Sequence, residues 1–217
     1  MKPAQTASTP LHFIVVGEPT WRCVREWRQR AKEIAGFYPG ATCHIWHGEA
    51  LHKRIRGGFG EEVVAAVHGL SSADAATLAS WCLLHLFGGM FHASGLRLLA
   101  PMTIPDGAGI AAFNDVRPTA TGWTAITPAL LWSRAGRDEW ALAVDMKVKA
   151  LRDAPSGLPS DDVILGHAIG QAAVKRGGRG EDDQWIGQVK AIPGTGGDED
   201  QAFVAPDGTI VALLETP

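Results

Sequence analysis

The chain has 217 residues, 46% of them hydrophobic with eight tryptophans, which suits a globular protein with a sizeable core and excludes an intrinsically disordered one. A net charge of −3 and a pI near 6.2 give no electrostatic basis for binding nucleic acid, and no run reaches the roughly 18 apolar residues of a membrane span. The three cysteines, Cys23, Cys43 and Cys82, lack C-x-x-C spacing, which argues against a disulfide framework or a structural zinc site and points to a reduced, cytoplasmic setting.

Residues 1–10 are polar, without the apolar segment of a secretory signal, and read as a flexible terminus. Leu11 to Gly17 is a short apolar run rich in β-branched residues, the pattern of a buried first strand. Thr20 can cap a helix over Trp21 to Ala35, whose apolar positions Val24, Trp27, Ala31 and Ile34 follow the helical period. Its other face, with Arg22, Arg25, Arg28, Arg30 and Lys32, reads as a solvated surface. Ala41 to Trp46 is a second strand, so the chain opens with a βαβ unit and a parallel sheet. Glu49 to Ile55 reads as a short helix, Arg56 to Gly60 as a glycine-rich connector, and Glu61 to His68 as another helix. The connector lacks the Lys-Ser/Thr of a P-loop.

The central block runs from Ser71 to Pro101. Ser71 and Asp74 have capping-box spacing, so a helix begins near Ser72 and runs on an apolar face through Leu78, Trp81, Cys82 and His85. Gly88 and Gly89 stop it. Met90-Phe91 begins an extended segment that closes in His92-Ala93-Ser94-Gly95. Beyond it, Gly109 to Phe113 and Gly122 to Ile126 read as strands, Pro128 to Trp132 as a helical or mixed stretch, and Arg137 to Leu151 as a helix. Ser160 caps a helix over Asp161 to Lys175. Trp185 to Ile192 reads as a strand, Gly194 to Asp200 as a flexible stretch, and Ala202 to Leu214 as a hairpin around Pro206-Asp207-Gly208. The expected organisation is a flexible terminus (1–10), an α/β domain (11–192) and a C-terminal loop and hairpin packed on it (193–217).

The block Leu83-Leu84-His85-Leu86-Phe87-Gly88-Gly89-Met90-Phe91, with the apolar run to Pro101, resembles the centre of GT-A-fold glycosyltransferases, especially the mannosyltransferase-like and capsular-polysaccharide-synthesis group. Phe13 to Gly17 and Ile45-Trp46 match the layout of that family's amino-terminal strands. The resemblance implies a single GT-A-like, Rossmann-related domain: a mostly parallel central sheet flanked by helices, with a C-terminal β-hairpin. It implies a nucleotide-sugar as donor, a glycan or other acceptor, and Mn²⁺ or Mg²⁺ in an active enzyme. In that family a helical Asp and Arg precede the Gly-Gly, and an Asp-x-Asp ending the strand holds the metal against the donor diphosphate. Here Thr77 and Ser80 fall near the helical pair, and Ala93 and Gly95 fall on the two aspartates. A one-residue deletion would instead bring His92 to the first acidic position.

The nucleotide-sugar-binding positions that the resemblance implies are Val15, Val16, Gly17, Thr77, Gly88, Gly89, His92, Ser94 and Gly95. The catalytic residues stay unassigned. His92 and Ser94 are the sharpest chemical candidates. One His beside a Ser is a poor substitute for two carboxylates around a hard cation, whereas Ser94 and Gly95 can offer a hydroxyl and backbone N–H groups to a phosphate. The plain alternative makes His92 a strand-end residue with no ligand. Two functions stay open: transfer of a sugar from a nucleotide diphosphate-sugar, or a catalytically inactive binding or structural protein that keeps the sheet without the metal site. A third, an unrelated α/β enzyme, would show a different strand order.

Overall fold

The computed structural model describes residues 9–16, 21–115, 125–153, 157–177, 183–193 and 199–214. Thr20, Gly17 and Gly122 to Thr124, each given a role above, lie outside them, as do residues 1–8 and 194–198. The elements run β1 (Pro10–Val15), α1 (Trp21–Phe37), β2 (Thr42–His47), α2 (Gly48–Phe59), α3 (Glu61–Gly69), α4 (Ser72–Phe87), β3 (Gly89–His92), β4 (Leu96–Leu98) and β5 (Ile110–Asp115). They continue with β6 (Ala125–Ser133), α5 (Asp138–Asp153), α6 (Asp161–Lys175), β7 (Gln184–Pro193), β8 (Glu199–Val204) and β9 (Ile210–Leu214).

All these strands join one sheet in the order β2-β1-β3-β6-β5-β7-β8-β9-β4. The opening βαβ unit is parallel, β1 lying between β2 and β3, and β5 is parallel to β7. The pairs β3/β6, β5/β6, β7/β8, β8/β9 and β4/β9 are antiparallel. The sheet is therefore mixed, which corrects the expectation of a mostly parallel one. The cause is β6. Its stretch Pro128 to Trp132, read from sequence as helical or mixed, is extended and runs antiparallel between β3 and β5. A short apolar run does not distinguish a buried strand from a helix turn. Pro128 falls in the gap between Thr127 and Trp132, where the pairing with β5 shifts register, so its missing N–H costs no ladder bond there.

The strands bury both faces by alternation. Leu11 and Phe13 of β1, Met90 of β3 and Ala111 and Phe113 of β5 face a core shared with α1 and the C-terminal hairpin. Ile14, Phe91, Ile110 and Ala112 face a second core built on α2 to α6. In that core α4 is buried on nearly every side, with Leu78, Trp81, Cys82, Leu83 and Leu84 fully enclosed. Ser71 caps it, accepting from the Asp74 N–H at 3.3 Å and donating its hydroxyl to the Asp74 carboxylate at 2.7 Å.

Arg56 to Phe59 is not a connector but the last turn of α2, which ends at Gly60 with φ +86°. Arg56 holds that turn to Glu49 at 3.1 Å and Glu61 at 2.5 Å. Gly58 lets α2 approach α4 closely, since a Cβ there would lie 2.5 Å from the Leu86 side chain. Likewise Glu199-Asp200, read as flexible, begin β8.

Candidate functional site at the carboxyl end of β1 and β3

At the carboxyl end of β3 the chain turns through Ala93, Ser94 and Gly95, and β4 begins on the opposite margin of the sheet. The sheet thus curls, and Gly95 comes against Leu214 of β9, its would-be Cβ 3.1 Å from that side chain. Above this turn lies a cavity of about 320 Å³. Its polar lining is Trp27 of α1, Thr77 of α4, His92, Ser94 and Thr127. The irregular part of β6 supplies Pro128 and Ala129, and the Ala93 N–H donates to the Ala129 carbonyl at 2.9 Å, which fixes the floor. Ala73, Ala76 and Thr77 in the first turns of α4 form one wall. A neighbouring cavity of about 500 Å³ shares Thr77, Thr127 and Pro128 and adds Asp74, Asp115, Lys147, Asp161 and Asp162. Lys147 and Asp161 pair there at 2.7 Å; burial raises the Asp161 carboxyl pKa although Lys147 opposes the shift.

His92 is the least expected group. It is 3% exposed, and neither ring nitrogen meets a hydrogen-bond partner among the described residues. Burial, partly opposed by the Ala93 backbone and reinforced by the charge of Arg30, lowers its pKa to about 4, so the ring is neutral at pH 7 and carries one donor and one acceptor. The Arg30 guanidinium, reaching over from α1, donates to the Ser94 carbonyl and holds the turn.

The described residues singled out from sequence separate into four places. Thr77, His92 and Ser94 share the cavity just described. Gly95 lies on the other side of His92, in a smaller cavity under α1. Val15 and Val16, at the end of β1, line a third cavity of about 300 Å³ with His52 and His68, whose ring centroids are 4.2 Å apart. Gly88 and Gly89 stand at the opposite end of β3. Their φ values are +63° and +92°, and a Cβ would lie 2.5 Å from the Ala135 nitrogen at the first and 2.2 Å from the Pro10 carbonyl oxygen at the second. They serve packing and turn geometry. His12 secures that end. Its Nδ1 accepts from the Trp46 indole at 3.0 Å, so its Nε2 carries the proton and donates to the Gly88 carbonyl at 2.7 Å.

Ser80 is fully buried and its hydroxyl closes on the Thr77 carbonyl at 2.7 Å, so it presents nothing to the cavity. Sequence reading missed Trp27, Thr127 and Lys147. Trp27 sits at a helical core position and gives no local sign of lining a cavity.

No family model matches the sequence, and no curated protein matches it either. Among solved structures the chain is similar to one titled PaToxG Glycosyltransferase, with a TM-score of 0.54 and 12% identity, over 80% of this chain and 73% of that one. The fold is glycosyltransferase-like. Within this glycosyltransferase-like fold the residues at the end of β3 do not suit Mn²⁺ or Mg²⁺, which need several hard oxygen ligands with carboxylates among them. Ala93 and Gly95 offer no side-chain oxygen, and the Ser94 carbonyl already accepts from Arg30. Among the described residues, no group of three or more His, Cys, Asp or Glu could hold a metal ion, and no helix is long and apolar enough to cross a membrane.

Proposed function

We propose that the protein binds a nucleotide-sugar at the carboxyl end of β1 and β3 without transferring the sugar by a metal-assisted route. The observation that carries this reading is the chemistry of the β3 terminus: an indole, three hydroxyls, an uncharged imidazole and the first turns of α4, with no carboxylate on Ala93 or Gly95. An aromatic face beside hydroxyl donors suits a sugar ring, whose C–H face stacks while its hydroxyls hydrogen-bond. The first turn of α4 suits the diphosphate. Stabilising a departing diphosphate requires charge placed where negative charge develops, and no charged side chain lines this cavity. The likeness in fold supports this choice of ligand class and nothing narrower. A second reading, transfer to a glycan acceptor, draws on the acids Asp74, Asp115, Asp161 and Asp162 in the adjoining cavity.

Calorimetry with UDP-glucose and GDP-mannose, with and without Mn²⁺, separates the two, followed by an assay for released nucleotide. Binding that Mn²⁺ leaves unchanged, with no release, is expected. Manganese-dependent nucleotide release by the unaltered protein would overturn the proposal.

A further inference from the structure

The cavity at the end of β1 holds a pair of side chains that the sugar-site reading does not use. Its lining is apolar, with Val15, Val16, Leu51, Val67 and Leu70, except for His52 of α2 and His68 of α3. Each histidine follows a core residue: Leu51 and Val67 are buried and hold the two helices, so the neighbouring imidazoles are delivered to the same cavity. The ring centroids lie 4.2 Å apart with the planes tilted by 54°. Neither ring has a hydrogen-bond partner among the described residues. Burial first, and His68 next, lower the His52 pKa, so that ring is uncharged at pH 7 and keeps a lone pair for a ligand. Glu49 and Glu61 favour positive charge beside His52, while Arg56 opposes it and pairs with both carboxylates, at 3.1 and 2.5 Å. Two carboxylates against one guanidinium leave a surplus of negative charge next to the rings.

We propose that His52 and His68 together bind one borderline transition cation, such as Zn²⁺ or Ni²⁺, whose remaining positions stay open to water or to a ligand in the cavity. An imidazole nitrogen holds Zn²⁺ at about 2.0–2.1 Å, which puts the ion roughly 3 Å from the ring centroid. Two centroids 4.2 Å apart share such a point, and the His68 side chain, being exposed, can turn onto it. Glu49 and Glu61 stay with Arg56 and supply attraction rather than ligands. Two protein ligands are fewer than a closed structural centre has, so the bound ion remains exchangeable. Imidazole donors select Zn²⁺ and Ni²⁺ over Mg²⁺ and Mn²⁺. Neither histidine lines the cavity at the β3 terminus, and the site does not depend on the nucleotide-sugar reading.

Calorimetry with ZnCl₂ and NiCl₂ in a non-coordinating buffer, with MgCl₂ as the hard-cation control, tests the proposal alongside ¹⁵N NMR of the histidine rings. One Zn²⁺ per chain is expected, with no Mg²⁺ binding, and the ring nitrogens of His52 and His68 alone among the histidines should shift strongly. His52→Asn and His68→Asn, at a half-buried and an exposed position, should each weaken Zn²⁺ binding roughly tenfold or more, since losing even an outer partner of a metal ligand costs about that much. Lowering the pH from 7 to 5 should weaken it too, because protons compete for the same nitrogens. Absence of Zn²⁺ binding overturns the proposal, as does equal binding of Mg²⁺, an affinity that both variants leave unchanged, or a shift confined to other histidines. Every titration runs without nucleotide, so failure here leaves the nucleotide-sugar reading standing.

Discussion

The two ends of β3 are built from opposite logic. At the amino end, Gly88 and Gly89 are wedged against the Ala135 and Pro10 backbone, and His12 has both ring nitrogens bonded, to Trp46 and to Gly88. At the carboxyl end, four residues along the same strand, His92 is just as buried and has neither nitrogen bonded. One end is over-determined by packing. The other is held by a backbone bond and an arginine, and leaves polar groups waiting for a partner. The difference shows that packing fixes one end of the strand while the other keeps buried polar atoms unsatisfied.

The sharpest way to break that comparison is at Gly89. Gly89→Ala combines a positive φ with a 2.2 Å approach to the Pro10 oxygen. It should destabilise the protein by about 3 kcal/mol or more, measured by urea denaturation. A loss below about 1 kcal/mol would mean that the amino end is not over-determined.

The two histidines sharpen it next. Both have folded-state pKa values lowered by burial to about 4. The unfolded chain therefore binds more protons between pH about 6.5 and about 4. Stability is complete above that window and falls as the pH drops through it, by roughly 3 kcal/mol for each histidine at the lower limit. Urea midpoints at pH 7, 6 and 5 should decline accordingly; a flat profile would contradict the burial of both rings. The same substitution then divides them at pH 7. His12→Phe leaves the Gly88 carbonyl and the Trp46 N–H unpaired and should cost about 2 kcal/mol, whereas His92→Phe removes only unpartnered atoms and should be near neutral. The smallest effect belongs to Ser71→Ala, which removes the cap of α4 and should cost about 1 kcal/mol by the same measurement.

Much of the framework was legible because its signals are local. The Ser71–Asp74 cap, the Gly88-Gly89 stop, the opening βαβ unit and the Pro-Asp-Gly hairpin each follow from a few adjacent residues. What failed was decided at a distance. Gly57-Gly58 reads as a loop until α4 packs against it, and Pro128 to Trp132 reads as helical until β3 and β5 flank it. Thr77, His92 and Ser94, named from the family resemblance, line one cavity. Trp27, Thr127, Arg30 and Arg97 were not read as cavity residues, because their cavities form only when α1, β4 and β6 converge on the β3 terminus.

The pairing of β4 with β9 carries a consequence for the order of assembly. Leu96 is hydrogen-bonded into the sheet through Leu214, and β9 is the only strand neighbour β4 has among the described residues. Closing so long a loop is entropically slow compared with forming the opening βαβ unit. On a ribosome the first strands and α4 can settle early, but the turn that floors both pockets must wait for the carboxyl-terminal hairpin to emerge. Any binding at that turn therefore depends on the hairpin, and fraying of the hairpin would erase it first.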